Sequence, residues 1–141
     1  MKWLNGSKIS LVLVGFVAAV VLGGQSASAD FTFGTPTNLG PTVNSTAKDG
    51  TLSTSADGLS GYFDSTRSGG SGREDIYVTT RASVSEPWGE AVNLGPTVNS
   101  SGSDWAPCIS HDGLSLYFTS WGEKFDIWVT TRETTADDWA A

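Results

Sequence analysis

Cysteine is nearly absent from this chain. Its 141 residues hold one, Cys108, so no disulfide can form within the molecule. A lone thiol is either reactive or paired between chains. The run APCIS around it favours a third outcome, a small apolar side chain buried in a strand, and burial is expected here. Histidine is equally scarce, with His111 alone. One imidazole with no repeated partner makes a poor general base, and its place before Asp112-Gly113 marks it as a turn residue. Basic residues number 8 against 15 acidic ones. A surface of that sign repels phosphate backbones and anionic membranes, which excludes nucleic acid as a partner. Helical periodicity is missing too. No long stretch spaces its apolar residues at 3.6, and the abundance of Gly, Ser and Thr suits short strands and tight turns.

The one long apolar run lies at the start. Lys2 and Lys8 precede or open it, ISLVLVGFVAAVVLGG fills Ile9 to Gly24, and Ala27 and Ala29 are the small residues before a cut after Ala29. Basic, apolar and small-residue regions in that order describe a secretory signal peptide over residues 1–29. The run is shorter than the roughly 18–20 residues of a membrane span, and no Cys follows it to carry a lipid. Removal of residues 1–29 takes away two lysines and no acid, so the formal charge moves from −7 to −9. The expected location is secreted or periplasmic, without stable membrane insertion after cleavage.

What is present in quantity is duplication. SADGLSGYFDSTRSGGSGREDIYVTTR (Ser55 to Arg81) returns as SHDGLSLYFTSWGEKFDIWVTTR (Ser110 to Arg132). TPTNLGPTVNS returns nearly verbatim within GEAVNLGPTVNS. Asn38 corresponds to Asn93, Asp49 to Asp104, Asp57-Gly58 to Asp112-Gly113 and Tyr62-Phe63 to Tyr117-Phe118. After that point the second copy is four residues shorter, with WGEKF in place of TRSGGSGRE. Deletions collect in loops, where few contacts are buried, so strands are expected on both sides of this one. Each unit then holds four strand-sized runs: TLSTS or APCIS, LSGYFDS or LSLYFTS, DIYVTTR or DIWVTTR, and the EAVNL type. FTFGTPTNLG (Phe31 to Gly40) is expected to form at most a short or edge strand, limited by Pro36 and Pro41.

Four short antiparallel strands repeated as a unit are the signature of propeller blades. The fold class expected is all-β: two four-stranded antiparallel blades of an incomplete propeller. The first repeat covers residues 30–88, and the second covers 89–141 and is truncated at its end. An ordinary sandwich would need no whole-unit repeat.

These residues resemble the WD40-like repeat of the TolB-like β-propeller family. Its Ser-x-Asp-Gly turn, aliphatic-aromatic strand and Asp-Ile-aromatic-Val strand match at Ser110, Asp112, Gly113, Leu116, Tyr117, Phe118, Asp126, Ile127, Trp128 and Val129. In the first copy the family's Ser-x-Arg-x-Gly-Gly loop matches at Ser65, Arg67, Gly69 and Gly70. Two departures stand out. Leu52 replaces the Pro found at Pro107, and Trp121 and Gly122 replace the Arg-bearing loop. The resemblance covers most of residues 31–141. It implies an exported repeat protein that binds a protein or a glycan, alone as a homo-oligomer or with further blades. The alternative it implies is part of a propeller hydrolase or lyase acting on polysaccharide or peptide.

Catalytic chemistry finds little footing. Ser55 and Ser110 precede turns, not the strand-to-helix elbow of a hydrolase nucleophile. Asp64, Glu74 and Asp75, or Asp49 with Asp104, are too few for a calcium cage, so neither metal nor cofactor is expected. Asp57, Gly58, Asp112 and Gly113 read as structural turn residues. The binding candidates are Trp105 and Trp121, whose counterparts Gly50 and Thr66 are not aromatic, whereas Trp88 and Trp139 recur in both copies as packing residues should.

Overall fold

The computed structural model describes residues 33–140. The signal peptide expected over residues 1–29 lies outside the described residues. The chain divides into the units Met1–Thr35 and Pro36–Ala141, and every strand among the described residues belongs to the second. Among the described residues there is no helix. Seven strands form two antiparallel sheets. The first sheet runs β1 (Asp49–Thr54), β2 (Ser60–Ser65), β3 (Asp75–Thr80) and β4 (Val92–Asn93), in that order. The second runs β5 (Ser103–Ile109), β6 (Ser115–Trp121) and β7 (Phe125–Thr131). The short β4 joins the first sheet although it follows Trp88, as the strand-sized run EAVNL suggested.

Both β1–β2 and β5–β6 hairpins turn through the Asp-Gly pair. Asp57 Oδ1 accepts the Ser55 hydroxyl at 2.6 Å and the Leu59 N–H at 2.9 Å. Asp112 repeats this with Ser110 at 2.6 Å and Leu114 at 3.0 Å. Gly58 and Gly113 follow at φ 70° and 74°, which side chains other than glycine resist. An arginine bolts each turn to the end of the third strand. Arg81 Nε donates to the Gly58 carbonyl at 2.8 Å, and Arg132 Nε to that of Gly113 at 2.9 Å. Each guanidinium lies over a tryptophan, Trp88 at 4.2 Å and Trp139 at 4.4 Å.

Alternation along the strands gives each sheet two faces. On the first sheet Tyr62 pairs with Val78 and Asp64 with Ile76, so these share one face; Phe63 and Tyr77 share the other. The Phe63–Tyr77 face is covered by Val43 and Trp88 in a small core. The Tyr62–Ile76 face packs on the second sheet, in one cluster with Val98, Ile109, Leu116 and Phe118. Two main-chain bonds add to the joint: Arg73 N–H reaches the Gly102 carbonyl at 2.7 Å and Asp104 N–H the Glu74 carbonyl at 2.7 Å.

Two expectations are corrected. Cys108 is exposed, not buried. The register shifts by one residue between Trp105 and Cys108, where Ala106 adopts φ 53° and gives its N–H to Asp64 Oδ1 at 3.1 Å. Without that bulge Cys108 would lie opposite Leu116 on the buried face; with it, Cys108 lies opposite Tyr117 on the other face. Second, residues 33–40 form no strand. Their counterpart Val92–Asn93 is a strand because β3 offers it an edge.

Ile76 and Ile127 occupy the same position of the two copies but are 0% and 81% exposed. Ile76→Ala should therefore cost about 2–5 kcal/mol in urea unfolding, through lost burial and the cavity left behind. Ile127→Ala should stay within about 0.5 kcal/mol, measured dilute enough to keep the chain monomeric. Equal losses would contradict the packing described.

Candidate functional site

The second sheet repeats the two faces of the first. Cys108, Tyr117 and Val129 share a face with Trp105, Thr119 and Ile127, and with Trp121 and Phe125. This is the face that, on the first sheet, is buried against its neighbour. Here it is open: Tyr117, Trp121, Phe125, Ile127 and Val129 are all exposed. Trp105 and Trp121 are brought together on it by Phe125, which stacks on Trp121 at 5.5 Å and meets Trp105 edge-on at 5.4 Å. Phe125 is the member sequence reasoning passed over. Its signal was available, since a charged residue, Glu74, holds the matching position before the Asp-Ile pair of the first copy.

The edge beside this face is also open. In the first sheet β3 is covered by β4, with Tyr77 opposite Asn93 and Val78 opposite Val92. The Asn99 amide then closes the next step: its oxygen accepts the Ile76 N–H at 2.8 Å and its nitrogen donates to the Ile76 carbonyl at 3.0 Å. The stretch that does this, residues 92–99, is shaped by its own bonds. Asn93 Oδ1 accepts from Gly95 N–H at 2.8 Å and from the Asn99 amide at 3.0 Å. The equivalent stretch, residues 37–44, has the same shape: Asn38 Oδ1 accepts from Gly40 N–H at 2.8 Å and from the Asn44 amide at 3.0 Å. Apart from Val43, which is buried in the small core, it is largely exposed there, and it pairs with no strand. Among the described residues, no fourth strand covers β7.

Below both sheets lies an aspartate that ties its strand to the preceding loop. Asp49 Oδ2 accepts Ser45 N–H at 2.6 Å, and Asp104 Oδ2 accepts Ser100 N–H at 2.6 Å. Asp49 Oδ1 also holds the Ser65 hydroxyl at 2.6 Å and Arg67 Nη2 at 2.8 Å. Arg67 further donates to the Val43 carbonyl at 2.7 Å and lies over the rings of Phe63 and Tyr77, at 4.9 and 5.1 Å. Burial alone would raise the Asp49 carboxyl, but the bonds from Arg67, Ser65 and Ser45 outweigh it and hold the group below its ordinary 3.8. Asp64 goes the other way, raised by burial in spite of the Ala106 N–H.

The remaining sequence candidates sit apart from the open face. His111 lines a shallow cleft between the two Asp-Gly turns, with Asp57, Asp112 and Arg132. The Ser55 and Ser110 hydroxyls are bound to Asp57 and Asp112 and hold those carboxyls below the usual range. Asp75 receives the N–H groups of Ser71 and Gly72 from its glycine-rich loop. Among the described residues, no three His, Cys, Asp or Glu side chains converge as metal ligands would. Compared with protein-family models, curated proteins and solved structures, the chain matches none.

Arg67→Ala leaves a largely buried carboxylate without its cation. The expected loss is on the order of 3 kcal/mol in denaturant unfolding at neutral pH. The sign with pH follows from the lowered Asp49 value: its contribution is full above the ordinary 3.8 and fades as pH falls through the folded value. Acid titration should therefore destabilise the parent chain more steeply than Arg67→Ala; parallel acid limbs would refute the assignment.

Proposed function

We propose that this chain is an exported, non-catalytic interaction module built of two β-propeller blades, and that its partner is a second copy of itself. The observation that carries this reading is Ile127, exposed at the position where its counterpart Ile76 is sealed. An apolar sheet face of this extent is a docking surface or an aggregation liability. The internal joint supplies the template for what fits. It needs a sheet whose loop brings a valine, and an asparagine whose amide bonds the backbone of the isoleucine. Asn44 provides the amide from an exposed position, and Val43 stands beside it, buried on the Phe63–Tyr77 face as Val98 is on the Phe118 face. Thr37–Asn38 of one copy would lie as the fourth strand beside β7 of the next, as Val92–Asn93 lies beside β3. Trp105 and Trp121 then serve as anchors within the joint, and no acid, base or nucleophile is required of the module.

The basic, apolar and small-residue order of residues 1–29 supports a secreted or periplasmic location, and the excess of acidic side chains speaks against nucleic acid.

Sedimentation of the chain lacking residues 1–29 should show concentration-dependent association beyond the monomer. Ile127→Asp and Asn44→Ala, on opposite sides of the joint, should each weaken it by about tenfold or more. A monomer at all concentrations would overturn self-association. A monomer that instead binds an oligosaccharide through Trp105 and Trp121 would move the reading to a glycan partner.

A further inference from the structure

The first sheet holds its arginine in a cradle, and the second sheet keeps the cradle without the arginine. Arg67 follows Ser65 by two residues; the residue that follows Ser120 by two is Gly122. Every group that holds Arg67 has its counterpart in the second sheet: Asp104 for Asp49, the carbonyls of Thr97 and Val98 for those of Thr42 and Val43, and the rings of Phe118 and Trp128 for those of Phe63 and Tyr77. Thr97, Val98, Phe118, Ser120 and Trp128 all line one cavity of about 280 Å³. Asp104 lies behind this lining, not in it: it is fully buried, and its Oδ1, the counterpart of the atom that accepts Arg67, has no hydrogen-bond partner, so a guanidinium in the cavity reaches it only if the cover of that oxygen parts. Its other oxygen is held by Ser100, so the side chain is fixed with one acceptor free. The nearest cation in sequence, Lys124, is engaged with Asp126 at 3.2 Å.

We infer that this cavity is a guanidinium-binding site, filled by an arginine side chain of another polypeptide. The chemistry is that of the first sheet, moved from the same chain to a partner. A planar cation lies over two neighbouring rings and puts N–H donors on the backbone carbonyls and the carboxylate. An ammonium would satisfy the charge and has three donors, but it lacks the planar fork that lies over the rings and fixes the direction of the bonds. The site is compatible with a neighbour on the open face, because the Arg67 cradle is complete in a sheet that already carries β4 and a packed neighbour.

The test uses the chain itself with small probes. N-acetyl-arginine methylamide should bind saturably in the millimolar range, followed by the Trp128 indole N–H shift in NMR and by a raised unfolding temperature. N-acetyl-lysine methylamide should bind about tenfold more weakly. Gly122→Arg supplies the guanidinium in cis, at a glycine with open space around its Cβ position and no positive φ. It should raise the unfolding temperature of the free chain and weaken the probe at least about tenfold by occupying the cavity. Asp104→Asn should weaken it similarly. The capped arginine should bind more tightly than free arginine, whose own charged termini fit a small-molecule site and not this one. Unchanged binding in Gly122→Arg, or no saturable binding to the parent chain, overturns the site. Tighter binding of free arginine overturns the polypeptide source. Failure to self-associate would leave these outcomes untouched, so the two readings fail separately.

Discussion

Ile76 is held twice. Its backbone N–H and carbonyl are taken up by the Asn99 amide, and its side chain belongs to the cluster of Leu116 and Phe118 on the facing sheet. Both halves of this contact come from residues that follow β3, so the chain closes its first sheet and starts its second in one motion. Without it the Tyr62–Ile76 face of the first sheet and the Leu116–Phe118 face of the second would lose their cover, and only the small Phe63–Tyr77 core would remain. A two-layer arrangement of short strands has little else to bury, and the apolar area sealed here is what offsets the entropy of ordering the strands.

The duplication makes the molecule its own control. Where the copies agree, the chemistry is structural: the Asp-Gly turns, the arginine bolts over Trp88 and Trp139, and the aspartates that hold Ser45 and Ser100. Where they differ, a group is buried in one copy and exposed or unpartnered in the other. Ile76 against Ile127 and Asp49 against Asp104 are the clearest pairs. At such positions the residue is the same and the packing around it is not.

Much of this was legible beforehand. Alternation and turn residues placed five of the seven strands within a residue or two, the APCIS run began β5 three residues late, and the EAVNL run anticipated β4. The all-β class followed from the same signals. Cys108 was misplaced because a bulge is invisible to a period of two: the extra residue at Ala106 flips every side chain beyond it. Residues 33–40 were misread because a strand is a property of a pair, and the sequence does not say whether an edge is on offer. Trp105 and Trp121 stood out by being aromatic in one copy only. The same comparison, applied to Glu74 and Phe125 or to Arg67 and Gly122, would have found the rest of the cluster and the empty cradle.

The two sheets are unequally secured against coming apart. The second sheet has three strands, an open face and a buried carboxylate with one oxygen unsatisfied. The first has four strands, both faces covered and its carboxylate neutralised by Arg67. Opening free energies should therefore differ along the chain, with the amides of β7 expected to exchange before those of β2 and β3. The half expected to open first is also the half with the exposed apolar face and the unsatisfied carboxylate oxygen, so any ligand that bound there would act on the weakest part of the fold.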